Sequence, residues 1–125
     1  MAPDGVVAAT RELLPIAEVR RLLAAGSAHV PFSPAELAYA RSKSDPERRL
    51  AARLAAKRAA VRLLGAGVET DDFEVQRGRY GPPRLSLSAR AQRRLEALGA
   101  DAAMISLSHG RDQAVASVLL LRNRA

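Results

Sequence analysis

Leu50-Ala51-Ala52-Arg53-Leu54-Ala55-Ala56-Lys57-Arg58-Ala59 is the most informative stretch of this 125-residue chain. It lies in a run that starts at Ser44-Asp45-Pro46-Glu47 and ends at Gly65 or Gly67. Asp before Pro opens a helix well and glycine closes one, so the run predicts one long helix. Its apolar stripe is Leu50, Leu54, Val61 and Leu64, with Lys57 in the middle and Arg58 at the edge. A buried helix face excludes charge. Two explanations are open. The long side chains snorkel out past small alanines, or the face borders an anion site where Lys57, Arg58 and Arg53 meet phosphate oxygens.

Upstream, Ser33-Pro34-Ala35-Glu36 combines a capping serine, a first-turn proline and a glutamate three residues on, which predicts a second, shorter helix. Before it, Gly5-Val6-Val7-Ala8-Ala9 reads as a short strand. Leu13, Leu14, Ile16, Ala17, Val19, Leu22 and Leu23 have helical spacing up to Gly26. Downstream, Asp72 to Gln76 alternates polar and apolar, Gly81-Pro82-Pro83 turns, and Leu85 and Leu87 mark a partner strand. Ser88 to Leu98 predicts a helix closed by Gly99. Met104 to Ser108 and Ala114 to Leu121 predict two closing strands joined by His109-Gly110-Arg111-Asp112. The order is one strand, three helices, two strands, a helix and two strands. It predicts a single small α+β domain over residues 1–125, with a mostly antiparallel sheet packed on the long helix.

Composition narrows the functional classes. There is no cysteine, which excludes disulfides and thiolate metal sites. The formal charge is +7, and 18 of the 20 basic residues are arginine. Such a surface favours an acidic partner: nucleic acid, anionic lipid, a phosphorylated ligand or an acidic protein. Four aromatic residues leave little for stacking on single strands, so nucleic acid is the weaker choice. The first ten residues carry Asp4 and lack the basic start of a signal peptide, and no apolar run reaches the ~20 residues of a membrane span. The expected location is cytoplasmic, with no membrane partner.

Candidate chemistry is sparse. Ser106 and Ser108 alternate with Ile105 and Leu107 and so share a strand face, with His109 at the strand end. Ser-x-x-His on one strand does not make a nucleophile elbow, and no third partner is evident. Gly65-Ala66-Gly67 lacks the Lys-Ser/Thr of a phosphate loop. No His, Asp and Glu cluster has metal-ligand spacing.

Several segments in register resemble the holo-acyl-carrier-protein synthases, the short trimeric members of the phosphopantetheinyl transferase superfamily. The Leu50–Ala59 run is similar to that family's R-F-A-A-K-E-A helix, Leu64-Gly65-Ala66-Gly67 to its L-G-T-G ending, and Ile105-Ser106-Leu107-Ser108-His109 to its V-S-L-S-H strand. Phe32-Ser33-Pro34-Ala35-Glu36-Leu37 is similar to F-T-x-x-E-L, and Gly81-Pro82-Pro83 to G-x-P. The resemblance implies transfer of phosphopantetheine from coenzyme A to a serine of acyl carrier protein. It also implies a coenzyme site formed between subunits, a lysine on phosphate, and a magnesium ion held by an Asp of the first strand and the Glu of A-A-K-E-A.

The departures fall on the metal ligands. The Glu position is Arg58, and the Asp aligns with Ala9, or otherwise with Val7 or Ala8. The basic residue ahead of F-T is also missing near His29-Val30. Two carboxylates and Mg²⁺ sum to zero charge, whereas Ala9 and Arg58 sum to +1. The implied protein is a degenerate member, a pseudoenzyme for magnesium-dependent transfer. It would require no cofactor for itself, hold no metal, and still bind coenzyme A, phosphopantetheine or an acidic acyl carrier protein in fatty-acid or polyketide biosynthesis. The cofactor-contacting candidates are Lys57, Arg53, Arg58, His109, Gly65, Ser106 and Ser108. The implied assembly is a homotrimer, or a mixed trimer with an intact paralogue. Two alternatives keep catalysis: an enzyme acting on a carrier-tethered substrate with His109 as acid or base, or a transferase whose metal ligands are drawn from Glu12, Glu36 and Asp101.

Overall fold

A computed structural model describes residues 5–77 and 81–123. The elements follow the predicted order. Strand β1 spans Gly5–Pro15, and helices α1, α2 and α3 span Ile16–Ala24, Pro34–Arg41 and Pro46–Leu64. The hairpin strands β2 (Phe73–Gln76) and β3 (Arg84–Leu87) come next. Helix α4 (Ala89–Ala97) precedes β4 (Ala102–His109) and β5 (Gln113–Arg122). Strand β5 lies between β1 and β4 in an antiparallel three-stranded sheet, and β2 and β3 form a separate antiparallel pair. The α+β architecture is as expected.

The core forms where α3 crosses the inner face of the larger sheet. Leu50, Leu54, Ala55, Ala59 and Leu64 of α3 are buried against Leu14, Ile105, Ala114, Ala116, Val118 and Leu120. Alanines on the helix let the backbones approach closely, which explains a dense core with few aromatics.

Two sequence expectations change. Strand β1 runs six residues beyond Ala9 and takes in Leu13 and Leu14, which had fitted the helical spacing. Pairing along the whole of β5 decides it, because Leu13 and Leu14 lie opposite Val115 and Ala114. Strand alternation then buries Leu14 and exposes Leu13. Asp45 stands at the N-cap of α3 without capping it, its carboxylate being taken by a side chain one turn on. Ser33, in contrast, makes the predicted capping box with Glu36: the Glu36 amide donates to Ser33 Oγ over 3.2 Å, and the Ser33 amide donates to Glu36 Oε1 over 2.8 Å.

Candidate functional site

Helix α3 distributes its cations to different surroundings. Lys57 points into the core and is 1% exposed. Its ammonium donates to the Pro31 carbonyl over 2.6 Å and pairs closely with Glu36 Oε1. The second Glu36 oxygen accepts from the Val75 amide over 2.8 Å. A buried carboxylate with these partners is a structural tie joining α2, α3 and β2. Lys57 therefore neither snorkels nor faces a cleft. Arg58, one residue on, turns toward α1 and pairs with Glu18. The two residues expected to face one anion cleft look to different sides, because consecutive helical positions differ by about 100°.

A different cation cluster forms at the start of α3. The Arg53 guanidinium lies 4.3 Å from the centroid of the Tyr39 ring. Arg49 Nη1 donates to the Tyr39 hydroxyl over 3.2 Å, and Lys43 Nζ stands 5.3 Å from the same ring. Arg49 Nε donates to Asp45 Oδ1 over 2.9 Å, and Asp45 Oδ2 lies 3.7 Å from His109 Nε2. Ala35, Tyr39, Arg53, Glu74, Val75, Gln76 and Arg77 line an adjoining cleft of about 290 Å³. Arg53 is 3% exposed. Its Nη1 reaches the Arg49 carbonyl at 3.3 Å, but its buried Nε has no hydrogen-bond partner among the described residues.

The electrostatics agree with this geometry. Burial pushes the Arg53 guanidinium below its ordinary value, against the opposing pull of Tyr39 and Glu36. Burial alone would raise the Tyr39 phenol, yet Arg49, Arg53 and Arg77 together hold it below its ordinary value. Lys43, Arg49, Arg53 and Arg77 outnumber the carboxylates of Asp45 and Glu74 here. An excess of guanidinium groups around a cleft suits a phosphate or another compact anion.

Of the residues singled out by sequence, this cluster gathers Arg53 and His109. Gly65 ends α3 at φ 84°, a whole helix length away. Ser106 and Ser108 do share a face, the outer one, whereas His109 reaches Asp45 at the head of α3. Alternation thus separates the hydroxyls from the imidazole, which removes the Ser/His pairing. Sequence reading missed Tyr39, Lys43, Arg49 and Arg77. The four-residue spacing of Arg49 and Arg53 was a legible sign, but only folding brings α2 and β2 beside them.

Ala9 is exposed on β1 opposite Leu119, and a methyl group offers no ligand. Glu12 pairs with Arg62 at 2.6 Å, Glu18 with Arg58, and Glu36 with Lys57. Asp101 accepts from the Asn123 amide at 3.0 Å. Among the described residues, no three His, Cys, Asp or Glu side chains gather as a metal site. Neither the Ala9 methyl nor the Arg58 guanidinium offers an oxygen to a cation. Among the described residues, no helix is long and apolar enough to cross a membrane.

Comparison with known proteins places these features. No family model matches the chain. A holo-[acyl-carrier-protein] synthase of Koribacter versatilis is 41% identical over 93 residues, covering 71% of this chain and 74% of that protein. One from Anaeromyxobacter sp. is 37% identical over 117 residues, covering 87% and 91%. The fold matches the crystal structure of the Neisseria meningitidis synthase with a TM-score of 0.79 at 21% identity, over 92% of this chain and 98% of that one. It matches the Chronobacterium ammoniagenes ACPS–CoA complex with a TM-score of 0.68 at 27% identity, over 94% and 99%. With a relative this similar along nine-tenths of its length, the chain belongs to the holo-[acyl-carrier-protein] synthase family.

Proposed function

We propose that this chain is a non-transferring family member. It binds coenzyme A, or the phosphopantetheine arm of an acidic acyl carrier protein, and serves fatty-acid or polyketide biosynthesis beside a synthase chain that keeps both metal carboxylates. The observation that carries the reading is the pair Ala9 and Arg58 at the positions where the resemblance puts Asp and Glu. A magnesium ion, if bound, would offset the charge left on the nucleotide phosphate as phosphopantetheine passes to the carrier serine. Arg58 instead puts a fixed cation there, already neutralised by Glu18. A guanidinium only donates and offers a cation no oxygen, so Arg58 cannot do what a glutamate does at this position.

Binding has separate support. The Tyr39 cluster retains Arg53 and His109 with further cations around them, which suits a polyanionic cofactor. The +7 charge suits an acidic carrier protein. A relative at 27% identity is a coenzyme A complex.

The test is incubation with apo carrier proteins, coenzyme A and Mg²⁺, followed by the mass of the carrier. No mass gain at an ordinary enzymatic rate is expected, while calorimetry shows coenzyme A or a carrier protein bound at physiological salt. Magnesium-dependent transfer overturns the first half. Failure of coenzyme A and of every carrier protein to bind overturns the second.

The His109–Asp45 contact favours a second reading, an enzyme acting on a carrier-tethered substrate with His109 as acid or base. Any turnover of that kind should vanish in His109→Ala while binding persists. A turnover that survives the exchange excludes His109.

A further inference from the structure

Glu36 is 1% exposed, and its partners sit on every element that walls the Tyr39 cleft. Its Oε1 meets the Lys57 ammonium of α3 and accepts from the Ser33 amide at the head of α2. Its Oε2 accepts from the Val75 amide of β2. Glu36 is the residue after Ala35, Lys57 stands one turn beyond Arg53, and Val75 is itself a lining residue. One buried carboxylate thus lies behind all three walls.

The contact with β2 has the most consequence. That strand pairs with β3 on one side only. On its other side the buried Val75 amide needs an acceptor, and leaving such a donor unpaired is costly. Among the described residues Glu36 is that acceptor. Helices α2 and α3 are also joined by Arg49 and Arg53 on Tyr39. Loss of the acceptor should therefore shift the wall that carries Glu74 and Arg77 and leave the Tyr39–Arg53 wall in place.

We propose that Glu36 is a positioning residue for this cleft. Through the Val75 amide it sets the Arg77 wall against the Tyr39–Arg53 wall, and so sets the fit of a phosphate-bearing ligand. The ligand part of this rests on the reading of the cleft as the coenzyme A site.

Two full-length double variants separate position from charge. Both remove the buried pair: Lys57→Met is combined with Glu36→Gln in one and with Glu36→Leu in the other. Apolar replacement of a buried ion pair is often neutral for stability, and circular dichroism checks that each variant is folded. The glutamine variant keeps an acceptor for Val75 and the leucine variant does not. By calorimetry, coenzyme A should bind at least about tenfold more weakly to the leucine variant than to the glutamine variant, the scale of a misplaced charge-assisted contact. Tyr39 gives a readout that needs no ligand. Burial raises its phenol, but Arg49, Arg53 and Arg77 together hold it below its ordinary value. Followed by NMR, the phenol should titrate at higher pH in the leucine variant, where Arg77 has moved away. Equal titration in the two variants overturns the proposal, as does equal affinity for coenzyme A. A wild type that binds no coenzyme A counts against the functional reading alone, and the titration then decides the role of Glu36. If the leucine variant does not fold, hydrogen exchange on the wild type takes its place. Saturating coenzyme A should slow exchange of the Val75 amide about tenfold, and unchanged exchange overturns the proposal.

Discussion

At the scale of single residues, Lys57 shows how one side chain changes meaning on folding. Its ammonium and the Glu36 carboxylate are both essentially unexposed, at 1% and 0%. Breaking such a pair strands a buried charge. Lys57→Met is expected to destabilise the fold by ~3–5 kcal/mol, read by urea denaturation. Adding Glu36→Gln should return part of that loss, because glutamine keeps an acceptor for the Val75 amide without the charge. If Lys57→Met instead weakens coenzyme A binding and leaves stability unchanged, Lys57 is an anion ligand after all. Asp72 makes a comparable prediction with pH. Arg90 foremost, then Ser88 and the Glu69 amide, hold its carboxyl well below the ordinary 3.8, outweighing burial, which pushes the other way. The lowered value means that the folded state favours the carboxylate. The stability it brings is complete above the unfolded value and fades as pH falls through and below ~4. Asp72→Asn should therefore cost about 1–3 kcal/mol at neutral pH, with the gap to wild type closing in acid. A gap that stays constant down to pH 2 would show that the charge of Asp72 is irrelevant.

At the scale of elements, α3 organises the molecule, and its end depends on one glycine. Gly65 caps the helix at φ 84°, ψ −152°, a region open essentially to glycine alone. An added Cβ would meet only Arg94 Nη2 at 3.6 Å, an ordinary contact. The cost of Gly65→Ala is therefore conformational, about 1–3 kcal/mol, and thermal unfolding should report it with no change in coenzyme A affinity. A loss of affinity at unchanged stability would restore Gly65 as a cofactor residue. The element boundaries also show what periodicity can tell. The α2 capping box was legible, because serine and glutamate three residues apart act within one turn. The end of β1 was not. Leu13 and Leu14 suit a helix and a strand equally, and the ladder to β5 settles the choice. That ladder is more than 90 residues away in sequence.

At the scale of the whole molecule, charge placement divides α3 into two regions. Cations gather at Tyr39 at the head of α3, while Arg58 and Arg62 farther along are paired with Glu18 and Glu12. Restoring both carboxylates should uncouple these regions. The double variant Ala9→Asp, Arg58→Glu is expected to bind Mg²⁺, seen by calorimetry and by a rise in melting temperature with added metal, whereas neither single variant does. Metal binding by Arg58→Glu alone would mean that Glu18, once freed, supplies the second ligand and that position 9 is dispensable. Removing the Arg53 guanidinium with Arg53→Met should weaken coenzyme A binding about tenfold or more, the scale of a lost charge-assisted contact. Unchanged affinity would place the nucleotide away from Tyr39.

The sequence by itself determined the element order, the fold class and the family, and it sets Ala at 9 and Arg at 58. These follow from local spacing and residue identity, and no long-range contact is needed to see them. Only the tertiary structure decided which cations are available. Lys57 and Arg58 are neighbours in the chain, yet one is sealed under Glu36 and the other reaches Glu18, because partners from α2 and α1 arrive on different sides of α3. Arg53 lines the cleft because Tyr39 and the Glu74–Arg77 segment close around it, and its buried Nε finds no partner among the described residues. Arg11 stands on the edge strand β1 beside Ser117 and two strands from Ser106, a row that only the pairing of β5 with β1 and β4 creates. In each case the deciding quantity is the set of groups brought within a few ångströms by folding, which no residue's own sequence neighbourhood contains.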